Sequence, residues 1–376
     1  FDRAKILHKA ANLLREANDE LAHLEVRDVG KVFSEAVSGD VPSGTDAFDY
    51  FAACITAQNG DFNKWDKAIG YSVRVPLGVC AGIGAWNYPM QIACWKSAPA
   101  LAAGNAFILK PSEETPFVAH KVAELLQAAG LPDGLFQIIH GDRDIGAALC
   151  AHPGIAKISL TGGVETGRLI MAQSANSLKK ITLELGGKSP LLVFDDCDFN
   201  LAVQTALDAN FYTGGEVCSN ATRVFVQRNI ADDFIASMIT RTEAMRVGDP
   251  MASDIQMGAL ISKRHLAKVL DYVKIGVSEG ATIVAGGNAL QPQGFENGYF
   301  MQPTIFTNCH DDMRVVREEI FGPVMSVLIF DDEDEAIQRA NNTNFGLGAG
   351  VMTQDLARAH RVADALESGN VWVNSY

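Results

Sequence analysis

The chain has 376 residues, enough for two or three domains of ordinary size. Hydrophobic residues make up 48% and charged residues 20%, a balance that allows large buried cores and argues against wholesale disorder. The formal net charge is −14, and a surface this acidic repels phosphate backbones, so we expect no nucleic-acid partner. No apolar run reaches the roughly 20 residues that a membrane-spanning helix needs, so we expect no membrane partner either.

The first segment, residues 1–24, has an apolar stripe of helical period and is predicted to be one helix. Because Phe1 is not a natural start and this helix is already under way, we expect the true amino terminus to lie outside the chain. Residues 61–74 lack helical periodicity and are predicted to form an extended hairpin.

From residue 79 onward, short apolar runs alternate with helix-like stretches, which predicts a parallel, doubly wound α/β sheet. One intervening helix is bounded by Pro116 in its first turn and by Gly130 and Pro132 after its end. A second α/β series starts near residues 186–190. The predicted strands are 79–85, 106–109, 136–139, 157–160 and 181–185 in the first series, and 191–194, 224–226, 282–285 and 324–330 in the second.

Scattered cysteines and histidines limit the chemistry that the chain can carry. The seven cysteines are odd in number and form no Cys-x-x-Cys pair, which is typical of reduced thiols in the cytoplasm. The eight histidines show no ligand spacing, so no metal site is predicted.

Cys218 is the strongest candidate for a reactive group, and its segment reads Phe-Tyr-Thr-Gly-Gly-Glu-Val-Cys-Ser-Asn. A cysteine just past two glycines can bring its thiol and its own backbone N–H close to a substrate, since glycine permits close backbone approach. A buried, inert thiol remains the alternative, because most free cysteines pack as small hydrophobic residues.

Two further segments could supply a base and an oxyanion donor. Glu184 lies between two leucines at a predicted strand end, where partial desolvation should raise its pKa toward that of a general base. Asn87 follows a strand and could direct its side-chain N–H at a developing oxyanion. The alternatives are a Glu184 that faces solvent and an Asn87 that bonds only its own turn.

Two loops that follow predicted strands contain residues typical of a nucleotide-cofactor site. Gly162 and Gly163 follow a strand and open a helix, which suits a pyrophosphate at the helix amino end, although the glycine spacing departs from Gly-x-Gly-x-x-Gly. Lys110 and Glu113 follow another strand, where a lysine and a carboxylate could hold ribose hydroxyls. The acidic Glu113 would repel a 2′-phosphate, which favours NAD over NADP. Ordinary loop polarity is the alternative for both.

Taken together and in this order, these segments resemble the aldehyde dehydrogenase superfamily over essentially the whole chain. The resemblance implies that the Cys218 thiol attacks an aldehyde, that Asn87 and the Cys218 N–H stabilise the oxyanion, and that hydride passes to NAD to leave a thioester. It implies that Glu184 activates the water that releases the acid, with Lys96 in a supporting proton relay. It also implies NAD contacts at these positions: Trp86, Lys110, Glu113, Gly162, Gly163, Glu319 and Phe321.

Within the superfamily the segment around residues 82–103 is most similar to that of betaine aldehyde and 4-trimethylaminobutyraldehyde dehydrogenases. Tyr88 and Trp95 resemble two aromatics that hold a quaternary ammonium in these enzymes, and we place both on one face of a predicted helix. Core packing of the two rings is the alternative. Glu216 stands where the family usually has Gln, and an anion there would raise the pKa of the Cys218 thiol if it pointed inward.

The resemblance implies a Rossmann-type NAD-binding domain over residues 1–60 and 75–186, a partial oligomerisation hairpin over 61–74, and an α/β catalytic domain over 187–376. A homo-oligomer, dimer or tetramer, is expected for a longer parent protein that continues past both ends of this chain. Two other hypotheses stay open: a dehydrogenase of general aliphatic aldehydes or semialdehydes, and a catalytically inactive structural relative.

Overall fold

The computed structural model describes residues 1–376, which divide into two compact units. Unit 1 comprises Phe1–Val29 and Phe33–Leu185, and unit 2 comprises Gly30–Val32 and Gly186–Tyr376. None of the helices combines the length and the apolar character needed to cross a bilayer.

Unit 1 consists of amino-terminal helices, a hairpin and an alternating α/β series. Its helices are α1 (Asp2–Glu16), α2 (Asn18–Val29), α3 (Phe33–Glu35), which runs through a π-helical turn at Ala36–Asp40 into α4 (Val41–Thr56), α5 (Pro89–Ala102), α6 (Phe117–Ala128), α7 (Arg143–Ala151) and α8 (Val164–Ala175). Its strands are β1 (Phe62–Trp65), β2 (Ala68–Tyr71), β3 (Val79–Ile83), β4 (Ala106–Lys110), β5 (Phe136–Ile138), β6 (Ile155–Thr161) and β7 (Lys180–Glu184).

The main sheet of unit 1 has the order β5-β4-β3-β6-β7, and all its neighbouring strands are parallel. This confirms the predicted parallel sheet and all five of its predicted strands, with ends that differ by one or two residues. The chain runs outward from β3 to β5 and then returns to the other side of β3 with β6. The strand order therefore reverses at β3 and β6, and open α/β sheets bind ligands beyond the carboxyl ends of the strands at such a point.

The prediction of a single helix over residues 1–24 is wrong. The chain breaks at Ala17, where ψ is 14°, and α2 starts at Asn18. Asp19 and Glu20 lie in the first turn of α2, where acidic side chains interact favourably with the helix dipole. The apolar stripe continues across the break, so periodicity alone could not reveal the new start.

Two side chains of helix α2 cap the amino-terminal ends of two other helices of unit 1. The buried Glu25 carboxylate accepts a hydrogen bond from the Met90 N–H at 3.1 Å, in the first turn of α5. Asp28 accepts from the N–H groups of Phe117 and Val118 at 2.9 and 3.1 Å, at the start of α6. Burial raises the pKa of Asp28, and these two N–H groups act against that rise. Two carboxylates on one helix thus satisfy amides that two other helices leave without intrahelical partners.

Strands β1 and β2 pair as an antiparallel hairpin, from Phe62 opposite Tyr71 to Trp65 opposite Ala68. This confirms the extended hairpin predicted for residues 61–74. All four large apolar side chains of the pair, those of Phe62, Trp65, Ile69 and Tyr71, are more than half exposed.

Unit 2 is a second α/β unit. Its strands are β8 (Pro190–Val193), β9 (Arg223–Gln227), β10 (Thr282–Ala285), β11 (Ala289–Leu290), β12 (Phe300–Met301), β13 (Thr304–Thr307), β14 (Val324–Phe330), β15 (Gly348–Met352) and β16 (Asn370–Val373). Its helices are α9 (Phe199–Phe211), a 3₁₀ turn at Tyr212–Gly215, α10 (Arg228–Glu243), α11 (Lys263–Ser278), α12 (Arg314–Arg317), α13 (Glu333–Asn341) and α14 (Leu356–Ala365).

The main sheet of unit 2 has seven strands in the order β10-β13-β14-β9-β8-β15-β16. Only the edge strand β10 is antiparallel to its neighbour. The four strands predicted for the second series are all present. Buried apolar side chains cover both faces of this sheet, which explains why its strands read as continuous hydrophobic runs.

Candidate active site

The predicted cofactor and base residues of unit 1 follow four neighbouring strands of its sheet. Asn87 follows β3, Lys110 ends β4, Gly163 follows β6 and Glu184 ends β7. Because the four strands are parallel, their carboxyl ends meet at one edge of the sheet. Unit 1 therefore brings these four sequence-predicted residues to one side of its fold.

The loop after β3 is fixed to the end of β4. The Gly84 N–H donates to the Lys110 carbonyl oxygen at 2.9 Å, one step beyond the last paired residues of the two strands. Asn87 is buried with 4% of its surface exposed, and Trp86 is half-buried. Two residues later Pro89 starts α5, a position where its missing N–H costs no hydrogen bond. The Asn87 side chain is thus held at a strand-to-helix turn, as the sequence predicted.

Lys110 and Glu113 form the polar group at the end of β4. The Lys110 side chain is buried, and its Nζ donates to the Pro111 carbonyl oxygen at 3.2 Å and to Glu113 Oε2 at 3.3 Å. The Glu113 side chain is 59% exposed. A buried ammonium that holds a solvent-facing carboxylate presents a donor and an acceptor side by side, which is what two vicinal hydroxyls require.

The loop after β6 leaves open space at the amino end of α8. The Gly162 N–H donates to the Glu184 carbonyl oxygen at 3.0 Å, which ties the ends of β6 and β7 together. Gly163 is the residue before α8, and no side chain caps this helix. Its φ and ψ of −71° and 154° are open to any residue, and an added Cβ would meet no atom within 4 Å. Nothing within the fold requires glycine here, whereas a ligand against the helix end would.

Glu184 does not have the environment that the sequence predicted for it. Its side chain is exposed, so the expected partial desolvation is wrong. The alternation of β7 explains this, since Ile181 and Leu183 are the more buried residues and Thr182 and Glu184 face the other way. A carboxylate that faces solvent can still act on water.

Lys96 lies beneath these strand ends on α5. It is 8% exposed, and its Nζ donates to Ser159 Oγ on β6 at 3.0 Å. Burial lowers the pKa of Lys96 to about 8, while the charge of Glu184 acts in the opposite direction and that of Lys157 adds to the lowering. An amine with this pKa can change protonation state near neutral pH, which a proton relay requires.

The argument that Tyr88 and Trp95 share one helical face is wrong. Tyr88 precedes α5, with φ of −138° and ψ of 61°, so helical spacing does not relate the two side chains. Tyr88 is half-buried, and Trp95 is 52% exposed with its Nε1 donating to the Ser43 carbonyl oxygen at 3.2 Å. The exposure also rules out the alternative that Trp95 is a core aromatic.

In unit 2, the segment before Cys218 is a tight left-handed turn. Thr213, Gly214 and Gly215 have φ of 49°, 59° and 74°. An added Cβ on Gly215 would come within 3.0 Å of the backbone at Gly322 and Pro323. Cys218 itself is half-buried. The two glycines are therefore required by the fold, and they bring the cysteine loop against the turn that follows Phe321.

The backbone at Gly186 and Gly187 lies between Cys218 and Glu319. The Gly187 N–H donates to Glu319 Oε1 at 3.0 Å, and a Cβ on Gly187 would come within 3.0 Å of the Cys218 carbonyl oxygen. Burial raises the pKa of Glu319, and the Gly187 N–H, Lys268 and Lys188 act against that rise. Phe321, two residues on, has φ of 63°, an uncommon value for an aromatic residue. Unit 2 thus brings together its three sequence-predicted site residues, Cys218, Glu319 and Phe321.

Sequence reasoning missed several residues of these two groups. Ser159, the partner of Lys96, gave no signal beyond its place in a strand. Lys188 follows Gly187 in the sequence, is almost wholly buried, and has no hydrogen-bond partner for its Nζ. A lysine two residues before a buried strand could have been noticed as unusual. His265 contacts the Phe321 carbonyl oxygen from α11 and carried no sequence signal.

Comparisons with known proteins show which family the chain is similar to. The sequence profile of the Aldehyde dehydrogenase family matches residues 1–376. The chain is 54% identical over 376 residues to betaine aldehyde dehydrogenase of Vibrio vulnificus (strain YJ016), and 55% identical over 375 residues to that of Rhizobium etli (strain CIAT 652). In both matches all of this chain and 77% of the relative are covered.

A solved structure of betaine aldehyde dehydrogenase from Staphylococcus aureus in complex with NAD+ superposes with a TM-score of 0.97. It is 39% identical, and the match covers all of this chain and 75% of that one. The profile match over the full length and these identities lead to one conclusion. The chain belongs to the aldehyde dehydrogenase family.

Proposed function

We infer that the chain is an NAD-dependent dehydrogenase that oxidises an aldehyde to a carboxylic acid, with betaine aldehyde as its substrate. The observation that carries this conclusion is the 54–55% identity, over the whole chain, to enzymes named betaine aldehyde dehydrogenase. The loops described above supply a thiol, an amide, a carboxylate and an open helix end, which are the groups that this reaction needs.

The residues present fit NAD. The open space at Gly163 suits a pyrophosphate at the amino end of α8, and the pairing of Lys110 with Glu113 suits the hydroxyls of the adenosine ribose. Glu319 and Phe321 are assigned to the nicotinamide ribose, with Gly162 and Trp86 along the same path. When bound, NAD supplies the acceptor for the hydride.

Cys218 is assigned the covalent step. Its thiolate adds to the aldehyde carbon, and the resulting oxyanion accepts hydrogen bonds from the Asn87 side-chain amide and the Cys218 N–H. Loss of a donor of this kind lowers the rate by about 10²–10³-fold. Loss of hydride from the adduct leaves a thioester on Cys218.

Glu184 is assigned the second half of the reaction. Its exposed carboxylate can take a proton from water as the water attacks the thioester and releases the acid. Lys96, with its pKa near 8 and its bond to Ser159, is assigned to pass that proton onward. The charge of Glu184 acts on Lys96, so the two groups are electrostatically linked.

Tyr88 and Trp95 are assigned to the trimethylammonium group of the substrate, because aromatic faces attract a desolvated cation by about 2 kcal/mol or more. The exposure of Trp95 favours a second candidate, a dehydrogenase of general aliphatic aldehydes, since an open ring attracts a cation less strongly.

We also propose that the exposed apolar hairpin of β1 and β2 pairs with another copy of the chain in a homo-oligomer. We propose in addition that the enzyme is cytoplasmic.

The test is NADH formation with betaine aldehyde by the wild type, by Cys218→Ala and by Cys309→Ala, which removes another thiol of unit 2. We expect Cys218→Ala to abolish turnover and Cys309→Ala to retain it. A Cys218→Ala variant with the wild-type rate would refute the proposed function, and NAD binding without turnover in the wild type would favour the inactive relative.

The substrate is tested with 3,3-dimethylbutanal, which has the shape of betaine aldehyde without the charge. A site for the cation should prefer betaine aldehyde by at least about tenfold in kcat/KM, since cation–π attraction is about 2 kcal/mol. Equal values would support general aliphatic aldehydes instead.

A further inference from the structure

Glu216 is a buried carboxyl on the loop that carries Cys218, and the proposed reaction does not use it. It is 1% exposed, and its Oε1 accepts a hydrogen bond from the Ile261 N–H at 3.1 Å. Glu216 lies two residues before the proposed nucleophile, Cys218.

His265 on α11 lies between Glu216 and the Phe321 turn. Its Nε2 is 3.5 Å from Glu216 Oε1 and 2.6 Å from the Phe321 carbonyl oxygen. A carbonyl oxygen only accepts, so Nε2 must carry the proton in this contact. One ring nitrogen thus faces an oxygen from each of two segments, the loop of Cys218 and the turn of Phe321.

The same two segments are also in direct backbone contact. A Cβ on Gly215 would overlap the backbone at Gly322 and Pro323, so neither segment can move toward the other. Phe321 has a left-handed φ of 63°, which is strained for a non-glycine residue and persists only where surrounding contacts hold it. The bond from His265 to the Phe321 carbonyl oxygen is one contact that can do so.

The charged groups around this pair favour its neutral state. Burial raises the pKa of Glu216, with the Ile261 N–H and the charge of Lys31 acting against the rise. Burial lowers the pKa of His265 to about 4, opposed by its bond to Phe321 and assisted by Lys268 and Arg264. A neutral acid and a neutral imidazole can be buried together at low cost, and a Gln would serve the same purpose as the acid.

We propose that Glu216 and His265 are positioning residues that couple occupancy of the Glu319–Phe321 turn by NAD to the alignment of the Cys218 thiol. The proposal rests on the function proposed above for Cys218 and Phe321. A ligand that fixes the Phe321 turn fixes His265 through the carbonyl contact, and His265 in turn restrains Glu216 and the loop that leads to Cys218.

The test is the rate at which iodoacetamide alkylates Cys218, followed by mass spectrometry with and without NAD. In the wild type NAD should change this rate, and Glu216→Leu and His265→Phe should reduce that change by about fivefold or more, the lower end of typical coupling between sites. Glu216→Gln should keep it. Glu333→Leu removes a carboxylate that pairs with Arg358 and Arg361 elsewhere in unit 2. This control variant should also keep the wild-type effect of NAD on the alkylation rate.

A second measurement separates positioning from simple loss of stability. As pH rises and Glu216 ionises, its carboxylate draws the His265 Nε2–H away from Phe321, so the NAD effect should weaken in the wild type and persist in Glu216→Gln. The proposal is overturned if NAD leaves alkylation of wild-type Cys218 unchanged, or if folded Glu216→Leu and His265→Phe keep the wild-type effect. Failure of the proposed function is seen separately, as turnover by Cys218→Ala.

Discussion

Gly187→Ala is the sharpest test of how unit 2 holds its nucleophile. The added Cβ would come closer than 3.0 Å to the Cys218 carbonyl oxygen, and ordinary contact begins at 3.4 Å. The obstacle is backbone, so rotation of a side chain cannot relieve it. The Cys218 segment must therefore move by about 1 Å to restore ordinary van der Waals separation.

A shift of about 1 Å in a reacting group lowers the rate by about 100-fold, or about 3 kcal/mol in the barrier. We therefore expect kcat/KM for betaine aldehyde to fall by that factor, measured from initial rates of NADH formation. Overpacking of this kind also lowers the free energy of unfolding by about 1–3 kcal/mol, which urea unfolding measures.

The matched control is Gly369→Ala, also in unit 2, where the nearest atom to an added Cβ is 3.5 Å away. Gly369→Ala should leave kcat/KM and the free energy of unfolding close to the wild-type values. If Gly187→Ala retained the wild-type kcat/KM and stability, the close approach between Gly187 and Cys218 would not position the thiol, and this reasoning would fail.

Three other predictions concern unit 1. Glu25→Ala removes the acceptor of the Met90 N–H and should lower the free energy of unfolding by about 1–3 kcal/mol in urea, unlike a substitution at an exposed carboxylate. Gly163→Ala should leave that free energy within about 0.5 kcal/mol of the wild type, because the Cβ meets no atom, yet weaken NAD binding by about tenfold in a fluorescence titration. Burial lowers the pKa of Lys96 to about 8 from an ordinary 10.5, so the folded chain loses this proton at a lower pH than the unfolded chain does. Unfolding free energy should therefore rise by about 3 kcal/mol between these two pH values, and Lys96→Met should lack that rise; an equal rise in the variant would assign it to other groups.

All five strands of the unit 1 sheet and four of the seven strands of the unit 2 sheet could be predicted from the sequence, because buried strands are short, continuous apolar runs, whereas β13, β15 and β16 were missed. The loops after the predicted strands were equally accessible, since Gly163, Lys110 and Asn87 each lie within a few residues of the end of such a run. The break at Ala17 was missed because the apolar period does not change across it. The local signal of the new start was the pair of acidic residues, Asp19 and Glu20, in the first turn of α2.

Environments of single side chains were harder to predict. The leucines beside Glu184 suggested burial, but residues on either side of a strand position face the opposite way, so its carboxylate is exposed. The helical relation of Tyr88 to Trp95 failed because Pro89 starts the helix one residue too late to include Tyr88. The partners of Glu216 come from residues 45 and 49 positions away, Ile261 and His265, and no local pattern could indicate them.

The two capping carboxylates of α2 make three distant amides into reporters of its attachment. Exchange of the Met90, Phe117 and Val118 N–H protons with deuterium requires that their hydrogen bonds to Glu25 or Asp28 first break. Their exchange should therefore follow the opening of α2 even where the helices that contain them stay intact. A protease that cuts within α2 would in the same way loosen the starts of α5 and α6, far along the chain from the cut.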